Sequence, residues 1–570
     1  MPARWVLGIA GSHNSAVALT RDGEVVVAIQ TERLVRRKRQ AIRLDRLDRD
    51  AAQAIGYCLH HAGIDLPDLA AIATSTPWAT IHPQFEFSPG DGSARPALPR
   101  FVTVPHHLAH AEYALHYSPQ RPCLVLVCDG SGTYEAQRPL LDVVERRGSA
   151  LTFTEPGGKE SISAYTFDGR DLQLVYRIAY GAADTVTHGG GEVAAGEWLA
   201  SLGHLWEWCA GYCHGSRHEA GKVMGLAGFG DPDVHADLDI LRLAPDGALK
   251  IDFSPLLRRF RRPNCTFADV SGDAHYADLA AHLQRATNAF LVQLVRFLHA
   301  RFGGASVCYS GGVALNGIAN EVLGRALNVD WHINGSCEDN GTAIGAALAV
   351  DHALGGTRVS EPATDLYGRS YSDAEIGAAL RGHGGRVETL PRTELLARAA
   401  RGLAANQVVG WFQGRSEFGP RALGNRSILA DPRSPDMQDI LNRRVKRREA
   451  FRPYAPAVIE ERAAEFFELD SPSPAMLRVV PVRGRLLPAV THVDGTARVQ
   501  TVNARQNDLF YELLCRFGGQ TGVPVLLNTS FNVAGEPIVE SPADALRTFV
   551  ASGMDLLMIG NHLVHPAGPR

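Results

Sequence analysis

An α/β protein of two domains is what this sequence predicts, on three observations. Short apolar strands alternate with helical stretches from end to end, the pattern of sheets covered by helices. Three of those strands run into glycine-bearing turns, at Gly11, at Gly130 to Gly132 and at Gly311 to Gly312. At 570 residues the chain exceeds what one core supports, and a polar, glycine-rich stretch over 351–362 offers a boundary, giving domains of 1–355 and 356–570.

The first segment reads as an antiparallel meander: a strand over 5–10, the turn Gly11-Ser-His-Asn-Ser15, a strand over 16–20, the hairpin turn Arg21-Asp-Gly23, and a strand over 24–30. A helix over 44–62 and a strand over 70–74 follow. Pro105 opens a helix that sets His106 and His110 one turn apart, so both imidazoles lie on one face and can close on a single metal ion. Next comes an apolar strand, Leu124-Val-Leu-Val-Cys128, ending in the acidic turn Asp129-Gly-Ser-Gly132. Far downstream, Cys337-Glu-Asp-Asn-Gly341 offers a further carboxylate for the same ion.

A long amphipathic helix over 277–301 leads to a strand over 305–309, the turn Ser310-Gly-Gly-Val-Ala-Leu-Asn316, and a helix carrying Ile318, Val322 and Leu323. Glycines at such a turn let backbone N–H groups approach an anion, and an ordinary tight turn has the same sequence. Three turns of this kind after apolar strands are what an actin-like, two-lobed nucleotide fold shows, although periodicity alone does not fix that topology. Gly221-Lys222 is followed by Val223 and lacks the spacing of a P-loop. Beyond residue 362 a second α/β pattern begins, with a helix over 393–404 and strands over 408–413, 523–527 and 554–559.

A net charge of -4, from 57 basic and 61 acidic residues, describes a mixed surface rather than a general nucleic-acid binder. Basic runs at 36–39, 258–262 and 443–448 read as solvated faces, the last also as a phosphate-site candidate. No run approaches 18 apolar residues and no signal peptide precedes the first strand, so no membrane partner and a cytoplasmic location are expected. The nine cysteines lie mostly in apolar segments and read as reduced. Trp206, Trp208, Tyr212 and His214 would line a sugar pocket or pack a core, and Asp231 is a candidate carboxylate for a polyamine sugar.

The stretch Gly414-Arg-Ser-Glu-Phe-Gly-Pro-Arg-Ala-Leu-Gly-Asn-Arg-Ser427 carries three arginines and one carboxylate, too costly to bury without partners, so an anion or internal ion pairs are expected there. Together with Phe451-Arg-Pro-Tyr-Ala-Pro456, His492-Val-Asp-Gly495 and Leu527-Asn-Thr-Ser-Phe-Asn532, it resembles the O-carbamoyltransferases of the nodulation and cephamycin type. Along the front half the resemblance continues through Ser12-His-Asn-Ser-Ala16, Glu32-Arg33 and the basic run behind it, His106 to His110, Asp129-Gly-Ser-Gly132, Glu219-Ala-Gly-Lys-Val-Met-Gly-Leu226, Ser310-Gly-Gly312 and Asp339-Asn-Gly341.

The resemblance implies an N-terminal domain similar to Kae1, with an actin-like fold, and a C-terminal domain similar to YrdC. It implies that the C-terminal domain makes carbamoyl adenylate from carbamoyl phosphate and ATP with Mg(2+), and that the N-terminal domain passes the carbamoyl group to a hydroxyl. So labile an intermediate should travel inside the protein. Carried over, His106, His110, Asp129 and Asp339 would bind a metal, Fe(2+) or another divalent ion, which spacing cannot choose. His13, Asn14 and Lys38 would be catalytic, with His13 the general base. Relatives usually carry His-Asp where this chain has His13-Asn14, which puts the orienting carboxylate in doubt. Nucleotide and phosphate contacts would come from Gly130, Ser131, Gly132, Ser310, Gly311, Gly312 and Asn316 in front, and from Arg421, Arg426, Lys446, Arg498, Asn528 and Ser530 behind. The acceptor expected is a small-molecule hydroxyl, such as a sugar of the aminoglycoside tobramycin. The alternatives are a threonylcarbamoyl-type tRNA-modifying enzyme and a non-catalytic nucleotide sensor.

Overall fold

The computed structural model describes residues 3–42, 49–75, 99–116, 118, 122–134, 146–154, 158–180, 201–260, 270, 272–327, 329–359, 365–449 and 451–567. The chain forms two compact units, Met1–Thr31 with Arg39–Glu361, and Glu32–Lys38 with Pro362–Arg570. The second unit thus takes in seven residues from the front of the chain, which no local pattern announces.

Two sheets sharing a five-strand pattern, the second with one more strand at its edge, build the first unit. In the first, β1 (Trp5–Ala10), β2 (Ala16–Arg21) and β3 (Glu24–Gln30) form the expected meander, while β4 (Leu69–Ser75) and β5 (Arg100–Thr103) add in parallel on the far side of β1, giving the order β3-β2-β1-β4-β5. The second sheet contains β6 (Cys123–Cys128), β7 (Arg146–Thr154), β8 (Lys159–Phe167) and β9 (Leu172–Tyr180). A small separate hairpin, β10 (Leu241–Leu243) and β11 (Leu249–Ile251), precedes its last strands, β12 (Ser306–Ser310) and β13 (Asp330–Ile333). Its order is β13-β12-β6-β8-β9-β7. Strand β6 pairs antiparallel with β8 and parallel with β12, as β1 does with β2 and β4. This repeat of a three-strand meander with two parallel strands is the two-lobed, actin-like arrangement. Such sheets gather ligands beyond the C-terminal ends of their parallel strands, here β1, β4, β6 and β12.

Two buried helices carry the site. His106–Leu115 and Gly341–Ala353 are enclosed on every face. They approach so closely that a Cβ on Gly345 would lie 1.7 Å from the Ala109 carbonyl oxygen, so only glycine fits there. The 29-residue helix Ala274–Phe302 packs its apolar stripe into the core beneath the second sheet. Helix Arg49–Ala62 occupies most of the span expected over 44–62, whose residues 44–48 lie outside the described residues. The stretch expected as a linker over 351–362 is held to the first unit for most of its length. Helix Gly341–Ala353 runs into it, Asp351 pairs with Arg4, and Arg358 grips the Glu112 carboxylate with both Nη atoms; residues 360–362 lie outside the described residues.

The second unit is a nine-stranded mixed sheet: β14 (Val387–Thr389), β15 (Val409–Phe412), β16 (Arg426–Ala430), β17 (Ala455–Ile459), β18 (Arg478–Pro481), β19 (Thr496–Val502), β20 (Val525–Ser530), β21 (Leu556–Ile559) and β22 (His562–Val564). Their order is β14-β22-β21-β15-β16-β20-β17-β19-β18. Alternation along β21 shows how it is filled. Leu556 and Met558 face helices Arg392–Ala404 and Asp508–Thr521, while Leu557 and Ile559 face Pro542–Ser552. A buried Leu, Val or Phe contributes about 1.5–3 kcal/mol, which accounts for two continuous cores without disulfides; all eight cysteines among the described residues are free. No helix among the described residues is long and apolar enough to cross a membrane.

Candidate functional site

At the C-terminal ends of the parallel strands in the first unit, His106, His110, Asp129 and Asp339 converge. The first two lie on one helix, Asp129 directly follows β6, and Asp339 precedes Asn340, the N-cap of helix Gly341–Ala353. Nε2 of His106 lies 3.4 Å from Asp129 and 3.5 Å from Asp339; the corresponding distances from His110 are 4.0 and 3.8 Å. Donors sharing one ion at roughly 2.1 Å sit about 3–3.5 Å apart, so a small inward movement completes such a shell.

Both Nε2 atoms are buried and have no hydrogen-bond partner. Burial opposes charge on His106, but the two carboxylates outweigh it and push its imidazole up to about 10. Burial and mutual repulsion oppose ionisation of Asp129, yet the histidines hold it below the usual carboxylate range, and Asp339 is lowered in the same way. Two buried carboxylates with two orphaned imidazole nitrogens call for a divalent cation, so the donor set fits the metal the sequence implies.

A neighbouring serine fixes the tautomer of His110. Ser310 Oγ donates to the Cys337 carbonyl at 3.2 Å, so it can only accept from Nδ1–H of His110, also at 3.2 Å, which leaves Nε2 as the lone-pair donor. Ser75, at the end of β4, stands 3.2 Å from Nδ1 of His106 in the equivalent place. Gly312 N–H donates to Asp129 Oδ1 at 2.9 Å. Ser310→Ala is therefore expected to weaken metal retention roughly 10–100-fold, checked by competition with a chelator; less than a twofold change would remove the serine from this role.

Most of the glycine-turn residues expected to hold nucleotide have partners within the protein. Ser310 and Gly312 are engaged with His110 and Asp129 of the cluster. Asn316 caps helix Gly317–Ala326 and pairs with Gln284. Gly311, at φ +97, lets the turn pass the Cys128 carbonyl, where a Cβ would come within 2.1 Å. Gly132 N–H donates to the Glu160 carbonyl at 2.7 Å, and Ser131 is buried beside it. Gly130 is the open member of its turn, with nothing within 4 Å of an added Cβ, and its carbonyl accepts from Ser201 Oγ at 2.8 Å.

His13, on the turn after β1, faces the cluster, with Nδ1 3.8 Å from Asp339 and a side chain 43% exposed. Asn14 donates to Glu338 at 3.0 Å. On the other side Lys159 lies over the Tyr134 ring, and burial lowers its ammonium to about 8 against the pull of Asp129, Glu207 and Asp339. Sequence reasoning missed Lys159, whose proximity depends on the pairing of β8 with the segment after β6. The aromatic sugar pocket is not formed: Trp206, Trp208 and Tyr212 are buried in the core, and Asp231 caps its own short helix.

A second cluster lies in the other unit and is mostly cationic, with Glu449 3.9 Å from Arg452. Lys446 ends the π-helical turn Leu441–Lys446 and donates to Ser530 Oγ at 3.2 Å and Asn532 Oδ1 at 2.8 Å. Burial lowers its pKa well below the ordinary range, followed by Arg448, Arg452 and Lys38. Lys38 is therefore close enough to this cluster to act on Lys446. On β19, burial, then Arg421, Arg448 and Arg452, lower Arg498, whose Nε has no hydrogen-bond partner. On β20, Asn528 donates to Gln500 at 2.8 Å and leaves Oδ1 unpartnered. Arg426 is corrected out of this group. Its guanidinium lies 3.7 Å over Phe412 and donates to the carbonyls of Gln413, Gly414 and Asn425. Glu417 accepts three backbone N–H groups of the same loop, and Arg415 donates to Gly368 and Tyr367. Arg33 and Arg36, from the inserted segment, bind the carbonyls of Glu417 and Gly419, and of Pro537 and Ile538.

Residues 5–85 and 93–348 match the family model described as carbamoyltransferase N-terminus, and residues 400–566 the one described as carbamoyltransferase C-terminus. The chain belongs to the carbamoyltransferase family. Within reach of this family lie nodulation protein NolNO of Sinorhizobium fredii, 36% identical over 97% of this chain and 79% of that protein, and 3'-hydroxymethylcephem-O-carbamoyltransferase of Streptomyces clavuligerus, 29% identical over 95% of each. Among solved structures, HypF of T.kodakarensis overlaps 62% of this chain and 48% of its own at a TM-score of 0.39 and 13% identity, too distant to bear on the chemistry. A carbamoyltransferase moves a carbamoyl group, and the cephem relative's name gives its acceptor as a hydroxymethyl group.

Proposed function

We propose that this carbamoyltransferase is ATP-dependent and works in two halves, with carbamoyl adenylate made in the C-terminal, YrdC-like unit and consumed in the N-terminal one. The observation that carries this is the contrast between the sites: two carboxylates and two imidazoles in one unit, and a cluster of arginines and lysines in the other. Cations gathered in excess over one carboxylate, Glu449 beside Arg452, suit triphosphate and carbamoyl phosphate oxygens. Lys446, Arg498, Asn528 and Ser530 bind and orient these substrates, with Arg421 and Lys38 beside them. Water releases phosphate from carbamoyl phosphate, the carbamate attacks the α-phosphorus of ATP, and pyrophosphate leaves.

In the N-terminal unit a divalent ion, Fe(2+) in this reading, would neutralise charge on the adenylate phosphate as AMP departs. His106, His110, Asp129 and Asp339 would hold it. His13 takes the proton from the acceptor hydroxyl, whose oxygen attacks the carbamoyl carbon. The acceptor we favour is a sugar hydroxyl of an aminoglycoside such as tobramycin, modified in the cytoplasm where ATP and carbamoyl phosphate are made. The test incubates the full chain with carbamoyl phosphate, ATP, Mg(2+) and Fe(2+) and a panel of hydroxylated antibiotics and tRNA. The expected result is pyrophosphate release together with one aminoglycoside gaining a single carbamoyl group by mass spectrometry. A modified tRNA would support the nucleic-acid reading instead, and absence of both products would leave a nucleotide sensor.

A further inference from the structure

Two adjacent residues on one turn meet two adjacent residues on one loop. His13 and Asn14 belong to the turn after β1, in the first sheet's lobe; Glu338 and Asp339 belong to the loop after β13, in the second sheet's lobe. His13 Nδ1 lies 3.8 Å from Asp339 Oδ2, and Asn14 Nδ2 lies 3.0 Å from Glu338 Oε2. The first contact is too long for a hydrogen bond and cannot hold the lobes in register; the second is a charge-assisted one that can. Only the amide nitrogen of Asn14 attracts a carboxylate, so the chemistry fixes which way this side chain points.

We propose that Asn14 and Glu338 form a clasp across the two lobes that sets the position of His13 over Asp339, which makes them positioning residues for acceptor attack. This rests on the reading of His13 as the acceptor-side base. The amide at position 14 is specifically required, because a carboxylate there has no proton to donate. It would face Glu338 at hydrogen-bond distance, with Asp339 and Asp129 behind, and like charges would drive the turn and the loop apart. The clasp inverts cleanly: a carboxylate at position 14 can accept from an amide at position 338.

The experiment uses the full chain and four variants: Asn14→Asp, Glu338→Ala, Glu338→Gln, and Asn14→Asp combined with Glu338→Gln. Transfer is followed with tobramycin as the probe acceptor, pyrophosphate release from ATP and carbamoyl phosphate serves as the control, and hydrogen exchange is read over 11–15 and 334–340. Asn14→Asp and Glu338→Ala are expected to lower kcat for transfer roughly tenfold or more, with pyrophosphate release unchanged and exchange raised in both segments together. Glu338→Gln alone keeps an acceptor oxygen and should cost only about two- to threefold. The double variant should recover most of the rate and protection lost by Asn14→Asp alone. Transfer by Asn14→Asp at the unsubstituted rate, or a double variant no better than that single one, would overturn the clasp. An unsubstituted chain that releases pyrophosphate yet never carbamoylates tobramycin counts against the acceptor reading. The exchange arm then decides the clasp, and singles that leave either segment as protected as before overturn it.

Discussion

Replacing His106 with alanine is expected to abolish carbamoyl transfer while pyrophosphate release from ATP and carbamoyl phosphate continues at the unsubstituted rate. His106 and His110 form the imidazole half of the cluster, and their Nε2 atoms have no other hydrogen-bond partner. Removing one leaves two buried carboxylates compensated by a single imidazole, so a divalent ion loses both a donor and part of its geometry. Loss of a neighbouring orienting group typically costs 10–100-fold, and loss of a direct ligand should exceed roughly hundredfold in metal affinity and transfer rate. The substitution sits within helix His106–Leu115, where alanine is well tolerated, so the fold should survive. Metal content after dialysis, transfer rate and pyrophosphate release are measured on one preparation. Loss of pyrophosphate release as well would contradict the division of labour between the units.

Much of the His/Asp cluster was legible because its defining pair is local. Two histidines four apart behind a proline leave little choice of face. Asp129 was legible for a related reason, since an acidic residue ending a fully apolar strand sits where α/β sheets collect ligands. Asp339 lies more than two hundred residues from Asp129; the sequence offered a carboxylate from Cys337-Glu-Asp-Asn-Gly341, and the choice of Asp339 over Glu338 came from the resemblance. The glycine turns were ambiguous, because Ser-Gly-Gly looks the same whether its N–H groups cradle a phosphate or tie down a carboxylate of the cluster. Only the positions of Cys337 and Asp129 in space decide that Ser310 and Gly312 do the second.

The C-terminal loop shows the same limit in electrostatic form. Composition says that Arg415, Arg421 and Arg426 need partners, but not whether those are phosphates or carbonyls. Two of the three bind carbonyl groups and only Arg421 joins the cationic cluster. The inserted segment Glu32–Lys38 was the least legible feature. Arg33 reaches Glu417 across nearly four hundred residues, and no periodicity records such a contact. Aromatic residues at 206, 208 and 212 fit a sugar pocket and a core equally well in sequence, and burial gave them to the core.

Arg498→Met should separate stability from function in the C-terminal unit. The side chain lies among Arg421, Arg448 and Arg452, and its Nε has no hydrogen-bond partner. A cation held in that way weakens the free protein and strengthens its grip on polyphosphate, as sites built for charged ligands do. Methionine keeps much of the length and removes the charge. Without a donor aimed at the oxygens that gain charge as pyrophosphate leaves, pyrophosphate release should fall roughly 10²–10³-fold. Relief of the repulsion should raise Tm by roughly 2–4 °C for each kcal/mol recovered. Supplied carbamoyl adenylate should still be transferred, since the metal ligands are untouched. Calorimetry and pyrophosphate release together decide the matter. A variant that melts lower and still releases pyrophosphate would make Arg498 a structural cation, and the phosphate site would then have to be built on Lys446 and Asn528.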